Sequence, residues 1–217
     1  VIVLKAGLTD GGSRAISSHT ATLVGTREVW QAFFRQSNAV SVETFDEALI
    51  QVHAFLNFAR PAGRRVGIVG LGGGLSVVTA DLCEKAGLEV PALRESTVRR
   101  LRQLKELSVG RGIRNPVEMG LGKRGLFREF ADGLEILASD ENIDSLLIQL
   151  YPEGYVKHWA GGNQMDQAMD VLIEAVKRMQ KPAAIVIGLG HDAETMRVAL
   201  SAHTRCAESG LAIFSAP

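Results

Sequence analysis

The chain has 217 residues, 46% hydrophobic and 22% charged, with 24 basic residues balanced by 24 acidic ones. That composition is ordinary for a globular chain, lacks the basic excess of a nucleic-acid binder, and contains no apolar run near the ~18–20 residues needed to cross a bilayer. Cys83 and Cys206 fall in helical patterns beside apolar neighbours. They read as buried thiols in a reducing compartment, and no Cys/His cluster has zinc spacing. With no signal-peptide pattern, a cytoplasmic location is expected.

Val1–Leu4 reads as a short strand. Lys5–Gly25 reads as a loop holding the pair Gly11-Gly12, several hydroxyl residues and His19. A helix starts near Thr26, with Glu28 in its first turn and Val29, Trp30, Phe33 and Phe34 as its apolar side. Ala39-Val40 is a strand candidate. Thr44 and Glu47 form a capping-box pattern, after which Phe45, Leu49, Val52 and Leu56 recur at helical spacing. The breaker Arg60-Pro-Ala-Gly63 sets a domain boundary, giving domains 1–62 and 63–217.

The second domain opens with a strand over Arg65–Gly70, a Gly-rich turn, and a helix carrying Val77, Val78, Ala80 and Leu82. Leu88–Leu93 reads as a second strand, and a basic helix carrying Val98, Leu101 and Leu104 follows. Gly110–Gly125 is a Gly-rich connector, then come a helix with Leu126, Phe130, Leu134 and Leu137 and a buried-type strand over Ser145–Leu150. The clearest periodicity is Met165, Met169, Leu172, Val176 and Met179, read as a core-facing stripe. Strand Ala183–Ile187, a helix from Ala193 with Met196, Leu200 and His203 on one face, and strand Leu211–Phe214 complete the pattern. Alternating strands and helices predict a doubly wound, mainly parallel α/β sheet of the flavodoxin type. Starting within a strand on Val1 and ending just after one, the chain reads as a segment of a longer protein.

Three places stand out chemically. In the first, the pair Gly11-Gly12 and the hydroxyl residues of the loop are suited to bring backbone N–H groups and hydroxyls around an anion near His19; the other reading is a βα turn with a solvated histidine. The second is the turn Gly70-Leu-Gly72-Gly73-Gly74. It does not match G-x-G-x-x-G and no acidic residue closes the next strand, so a tight turn contacting an anion or a partner fits better than a dinucleotide site. The third is His158 with Trp159, expected in a loop beyond a strand's carboxyl end, where open α/β sheets bind ligands. Gly72, Gly73 and His158 are thus candidates for a ligand or partner loop.

The residues Lys5-Ala6-Gly7, Gly11-Gly12 and Ser17-Ser18-His19-Thr20-Ala21-Thr22-Leu23-Val24-Gly25, followed by Trp30, Phe33, Phe34 and Glu47-Ala48-Leu49, resemble the NDP-forming acyl-CoA synthetases. ADP-forming acetate–CoA ligase is the closer likeness and succinate–CoA ligase the other. Ala80-Asp81, Gly87-Leu88-Glu89-Val90-Pro91 and Asn115-Pro116-Val117 extend the likeness over most of the chain. The resemblance implies succinyl-CoA-synthetase-like domains, with 1–62 part of one that carries a phosphohistidine loop. It implies His19 as the phosphoryl carrier, with Ser18, Thr20 and backbone N–H groups holding the phosphoryl oxygens. It also implies that acyl-CoA, NDP and phosphate interconvert with carboxylic acid, CoA and NTP, with CoA, ADP/ATP and Mg as substrates and no tightly bound cofactor. CoA-binding and ATP-grasp domains or subunits, and a homo- or hetero-oligomer, are the implied partners, so this segment alone is expected to be inactive. Three positions depart from the family: Ala21-Thr22 where Gly-Ala is usual, Gly70-Leu71 in place of Thr-Asn, and Glu118 in place of Asp. A catalytically degenerate module that binds or regulates is the alternative.

Overall fold

The computed structural model describes residues 1–20, 24–70, 73–104, 113–119, 127–159 and 162–216. It divides into two compact units, Val1–Leu56 and Asn57–Pro217. The division falls at the end of a helix, ahead of the Arg60–Gly63 turn where the sequence places it.

In the first unit, β1 (Ile2–Leu4) runs parallel to β2 (Val40–Val42), with Ile2 opposite Val40 and Leu4 opposite Val42. The stretch expected as a loop is largely a helix, α1 (Asp10–Thr20). Its two early glycines cost helix propensity, but local contacts outweigh that. Thr9 Oγ1 accepts the Gly12 N–H at 3.2 Å and the Thr9 carbonyl accepts the Ser13 N–H at 2.8 Å. Gly7 turns at a φ of 83°, and the first helical turn approaches so closely that a Cβ on Gly12 would lie 3.0 Å from Gly7 Cα. The helix α2 (Arg27–Ser37) carries Trp30, Phe33 and Phe34 in mutual ring contact, with the Lys5 ammonium 5.1 Å from the Trp30 ring centroid. At the start of α3 (Phe45–Asn57), Thr44 Oγ1 accepts the Glu47 N–H, and the Glu47 carboxylate accepts the N–H of Glu43. The periodic apolar stripe of α3 is present but uncovered, with Phe45 78% and Leu56 77% exposed.

In the second unit, β3 (Val66–Gly70) leads to α4 (Gly73–Lys85) and α5 (Glu95–Leu101), then β4 (Val117–Glu118) to α6 (Phe127–Ala138). Next, β5 (Ser145–Leu150) leads to α7 (Pro152–Trp159) and α8 (Gly162–Arg178), and β6 (Ala183–Ile187) leads through α9 (Ala193–Glu208) to β7 (Ala212–Phe214). The strands pair in parallel in the order β4-β3-β5-β6-β7, the doubly wound α/β arrangement that the alternating pattern predicts. Strand alternation sends β3 side chains both ways. Val66 and Ile68 pack with Ala80 and Cys83 of α4, while Val69 joins the main core of α6, α8 and α9. Met165, Met169, Leu172 and Val176 of α8 are buried there as their spacing implied.

The strand expected over Leu88–Leu93 is reduced to one parallel bridge, Arg65 with Glu89. Pro91 has no N–H to continue the ladder. The Asn115 side chain takes over: Oδ1 accepts the Ile68 N–H at 2.9 Å, and Nδ2 donates to Val66 O at 2.8 Å and Pro91 O at 3.0 Å. Of the Gly110–Gly125 connector, only 113–119 is described, and Leu126 lies outside the described residues. Among the described residues no helix is long and apolar enough to cross a membrane, and no cluster of His, Cys, Asp and Glu side chains is arranged to hold a metal ion.

Candidate functional site

His19 lies in the last turn of α1 with its ring exposed. Its Nδ1 is 3.0 Å from Ser18 Oγ, and the Ser18 hydroxyl donates to the Ala15 carbonyl at 2.8 Å. The helix therefore turns its carbonyl end, not its anion-favouring N–H end, toward this histidine. Gly11 and Gly12 occupy the other end of α1, roughly 10–12 Å away at ~1.5 Å per residue, so they and His19 do not meet around one anion. Ser18 is the predicted site residue that the fold brings to the imidazole. Thr20 ends α1, and Ala21 lies outside the described residues.

The second unit has its own candidate where the chain reverses direction across the sheet, at the carboxyl ends of β3 and β5. Ligands of doubly wound sheets bind at such points. Gly72 lies outside the described residues, while Gly73 is the first residue of α4. A Cβ on Gly73 would sit 2.9 Å from Glu118 Oε1, so glycine is what lets this carboxylate approach the helix N-terminus. A carboxylate there complements the positive end of the helix.

Behind it lies a buried polar group that sequence reasoning missed. Gln149 Nε2 donates to Thr79 Oγ1 at 2.5 Å, while Gln149 Oε1 and the Ser76 hydroxyl have no hydrogen-bond partner. A Cβ on Gly70 would lie 3.1 Å from Gln149 Oε1 and 3.6 Å from Ser76 Oγ. The available signal was a glutamine inside the apolar run Ser145–Leu150 and a Ser/Thr pair at i, i+3 on α4. The apolar residues expected to line α4 point outward instead: Val77, Val78 and Leu82 are exposed, and Ser76, Thr79 and Cys83 are buried.

His158 is in the helix α7, not in a loop, because Pro152 starts a helix directly after β5. Nearby, burial pushes the Tyr151 phenol above its ordinary value, with the Glu153 charge adding to the effect. His191 is 4.0 Å from Glu153 Oε1. On α9, His203 Nε2 lies 2.8 Å from the Ile187 carbonyl, a structural contact, and Asp192 caps the helix through the N–H groups of Glu194 and Thr195. A depression of about 320 Å³ between α5 and α6 is lined by Arg100, Asp132 and Glu135 among others, away from these groups.

The family model of a "succinyl-CoA ligase like flavodoxin domain" matches residues 1–56, the first compact unit. Over 196 residues, 89% of this chain, the sequence is 35% identical to the alpha subunit of ADP-forming acetate–CoA ligase II of Pyrococcus furiosus. The chain is similar over most of its length to ADP-forming acid–CoA ligases, and its first unit to the succinyl-CoA ligase like flavodoxin domain. A more distant ligase is the ADP-forming 4-hydroxybutyrate–CoA ligase of Nitrosopumilus maritimus, 28% identical over 182 residues. This chain spans less than half of these ligases, 41% of the first and 24% of the second.

Among solved structures, a protein of Pyrococcus horikoshii OT3 superposes on 89% of this chain with a TM-score of 0.72 and 27% identity, the match spanning 41% of that protein. A dinucleotide-forming acetyl-coenzyme A synthetase of Candidatus Korarchaeum cryptofilum, in complex with phosphate and ADP, covers the whole chain with a TM-score of 0.77. At 20% identity, with 43% of that protein matched, it speaks for the fold alone.

Proposed function

We propose that this chain is part of an NDP-forming acyl-CoA synthetase, in which His19 carries a phosphoryl group between an acyl phosphate and a nucleoside diphosphate. The observation that carries the reading is an exposed imidazole, hydrogen-bonded at Nδ1, in a chain 35% identical to an acetate–CoA ligase alpha subunit. A neutral imidazole nitrogen is a competent nucleophile near neutral pH. Ser18 and Thr20 would flank the phosphoryl group. CoA, ADP or ATP and Mg²⁺ would enter as substrates on CoA-binding and ATP-grasp domains, on this polypeptide or on a partner subunit in a homo- or hetero-oligomer. The N-terminus of α4 at Gly73, with Glu118 beside it, is the second unit's contribution to a ligand or partner contact.

The test is phosphoryl transfer in the full-length protein with labelled ATP, Mg²⁺ and any partner subunit. Base-stable, acid-labile label on the wild type and none on His19→Ala supports the carrier. No label on either, in a folded and complete assembly, overturns it. That outcome would favour a second reading, a degenerate binding or regulatory module. The placement of His19 at the carbonyl end of α1, with Gly11 and Gly12 at the far end, is the feature that speaks for it.

A further inference from the structure

Three residues stand abreast at the carboxyl ends of neighbouring strands. Gly70 of β3 is the register partner of Glu118 of β4, and Gln149 of β5 follows one step past the Val69–Ile148 pair. A Cβ on Gly70 would lie 3.3 Å from Gln149 Cβ. Partners abreast on adjacent strands point to one face of a sheet. Here it is the face that carries α4, because Gln149 Nε2 donates to Thr79 Oγ1 of that helix. The middle place of the row has no side chain, and this leaves a notch beneath the first turn of α4.

Oxygen atoms surround the notch. The point that a Cβ on Gly70 would take is 3.1 Å from Gln149 Oε1 and 3.6 Å from Ser76 Oγ. Glu118 Oε1 stands at the start of the same helix, 2.9 Å from the corresponding point on Gly73. Gln149 is 1% and Ser76 4% exposed, and among the described residues neither Gln149 Oε1 nor Ser76 Oγ has a hydrogen-bond partner. Buried polar atoms in folded proteins are paired, with protein groups or with ordered water.

The chemistry of these atoms names the partner. Gln149 Oε1 only accepts, so whatever meets it must bring an O–H or N–H, whereas the Ser76 hydroxyl both donates and accepts. A cation is opposed by the positive end of α4, and an anion by Gln149 Oε1 and the Glu118 carboxylate. A neutral group that donates and accepts fits, and the space left by one missing side chain suits a single oxygen atom. We propose that one water molecule occupies the notch, donating to Gln149 Oε1 and hydrogen-bonded to the Ser76 hydroxyl, and that residue 70 is glycine to make room for it. Turning the Gln149 amide over exchanges an acceptor for a donor, and water serves that arrangement equally. Buried waters that pair such groups are costly to remove. The first turn of α4, where Gly73 meets Glu118, is thereby tied to β5 through polar contacts. The proposal concerns the second unit and stands apart from the phosphoryl-carrier reading.

The test is a crystal structure of the full-length protein in which ordered water is visible, together with thermal melts of Ser76→Ala. A single peak within about 3 Å of both Ser76 Oγ and Gln149 Oε1 is expected. An empty notch, or density larger than one oxygen, overturns the proposal. The melts give a reading independent of the crystal. Alanine is the better helix former, and removing a hydroxyl that pairs with nothing relieves a buried polar group, so Ser76→Ala raises Tm if the hydroxyl is unpaired. With the water in place the same change removes one of its partners, and a lower Tm is expected. An unchanged or raised Tm overturns the proposal.

Discussion

The guanidinium of Arg65 holds the Asp144 carboxylate with two hydrogen bonds, Nε to Oδ2 at 2.9 Å and Nη2 to Oδ1 at 2.6 Å. The Arg65 backbone N–H donates to the same Oδ2 at 3.0 Å. The contact ties the start of β3 to the residue just ahead of β5. It leaves no room beside it, since a Cβ on Gly63 would fall 2.3 Å from Asp144 Oδ2.

These hydrogen bonds from Arg65 hold the Asp144 carboxyl below its usual range. A depressed folded value means a stabilising contribution that is complete above the ordinary carboxylate value, about 3.9, and is lost as pH falls through the folded value. Asp144→Asn is therefore expected to lower Tm at neutral pH and flatten the acid limb of the stability curve. Urea denaturation across an acidic pH series checks it. An acid limb as steep as that of the wild type would sink the assignment. Asp140 keeps part of the slope: burial raises its carboxyl, but hydrogen bonds from Asn142, Thr97 and Arg94 with the Lys181 charge outweigh that and hold it low.

Asn115 gives a second prediction. Asn115→Asp keeps an acceptor for the Ile68 N–H but removes the donors to Val66 O and Pro91 O. Each carbonyl left without a partner costs about 1–3 kcal/mol, so the variant is expected to lose several kcal/mol of stability. Chemical denaturation measures the loss; a change under about 1 kcal/mol would mean that water replaces the amide.

The glycine pair of α1 separates packing from ligand contact. Gly12→Ala forces a Cβ against Gly7 backbone and should destabilise the helix start, whereas a Cβ on Gly11 meets only the end of the Arg14 side chain, 4.0 Å away. Gly11→Ala is expected to be neutral or to stabilise by up to about 1 kcal/mol, the helix-propensity gain. Circular dichroism melts of the two variants decide it. Equal destabilisation by both would contradict the helical placement.

Much of the second unit was legible in its amino acids. The runs Val66–Gly70, Ser145–Leu150 and Ala183–Ile187 are apolar and bounded by Gly, Asp or Pro, which fits strands buried on both faces. The helix α8 was legible because its methionines keep one spacing throughout. The misreadings share a cause in side chains doing backbone work. At Leu88–Leu93 an asparagine amide from elsewhere replaces part of a strand. In α1, the Thr9 cap and the Ser17 and Ser18 back-bonds accompany a helix over residues whose propensities point to a loop. On α4 the inward face is polar because Gln149 on β5 faces it, a pairing that no single segment announces. Of the candidate site, His19 was named from its chemistry and Ser18 from the family resemblance; the end of a helix on which they sit was not foreseen, because Gly11 and Gly12 masked the helix.

The burial of the first unit has a consequence for local opening. Among its described residues only Val42 is buried, and α2 and α3 bury no side chain. Regions with little buried apolar surface open at low free energy, and those at the centre of a core open only with the whole fold. Backbone amides of residues 1–56 should therefore exchange with deuterated solvent well ahead of those in β3, β5 and β6, and His19 resides in the part of the chain that exchanges first.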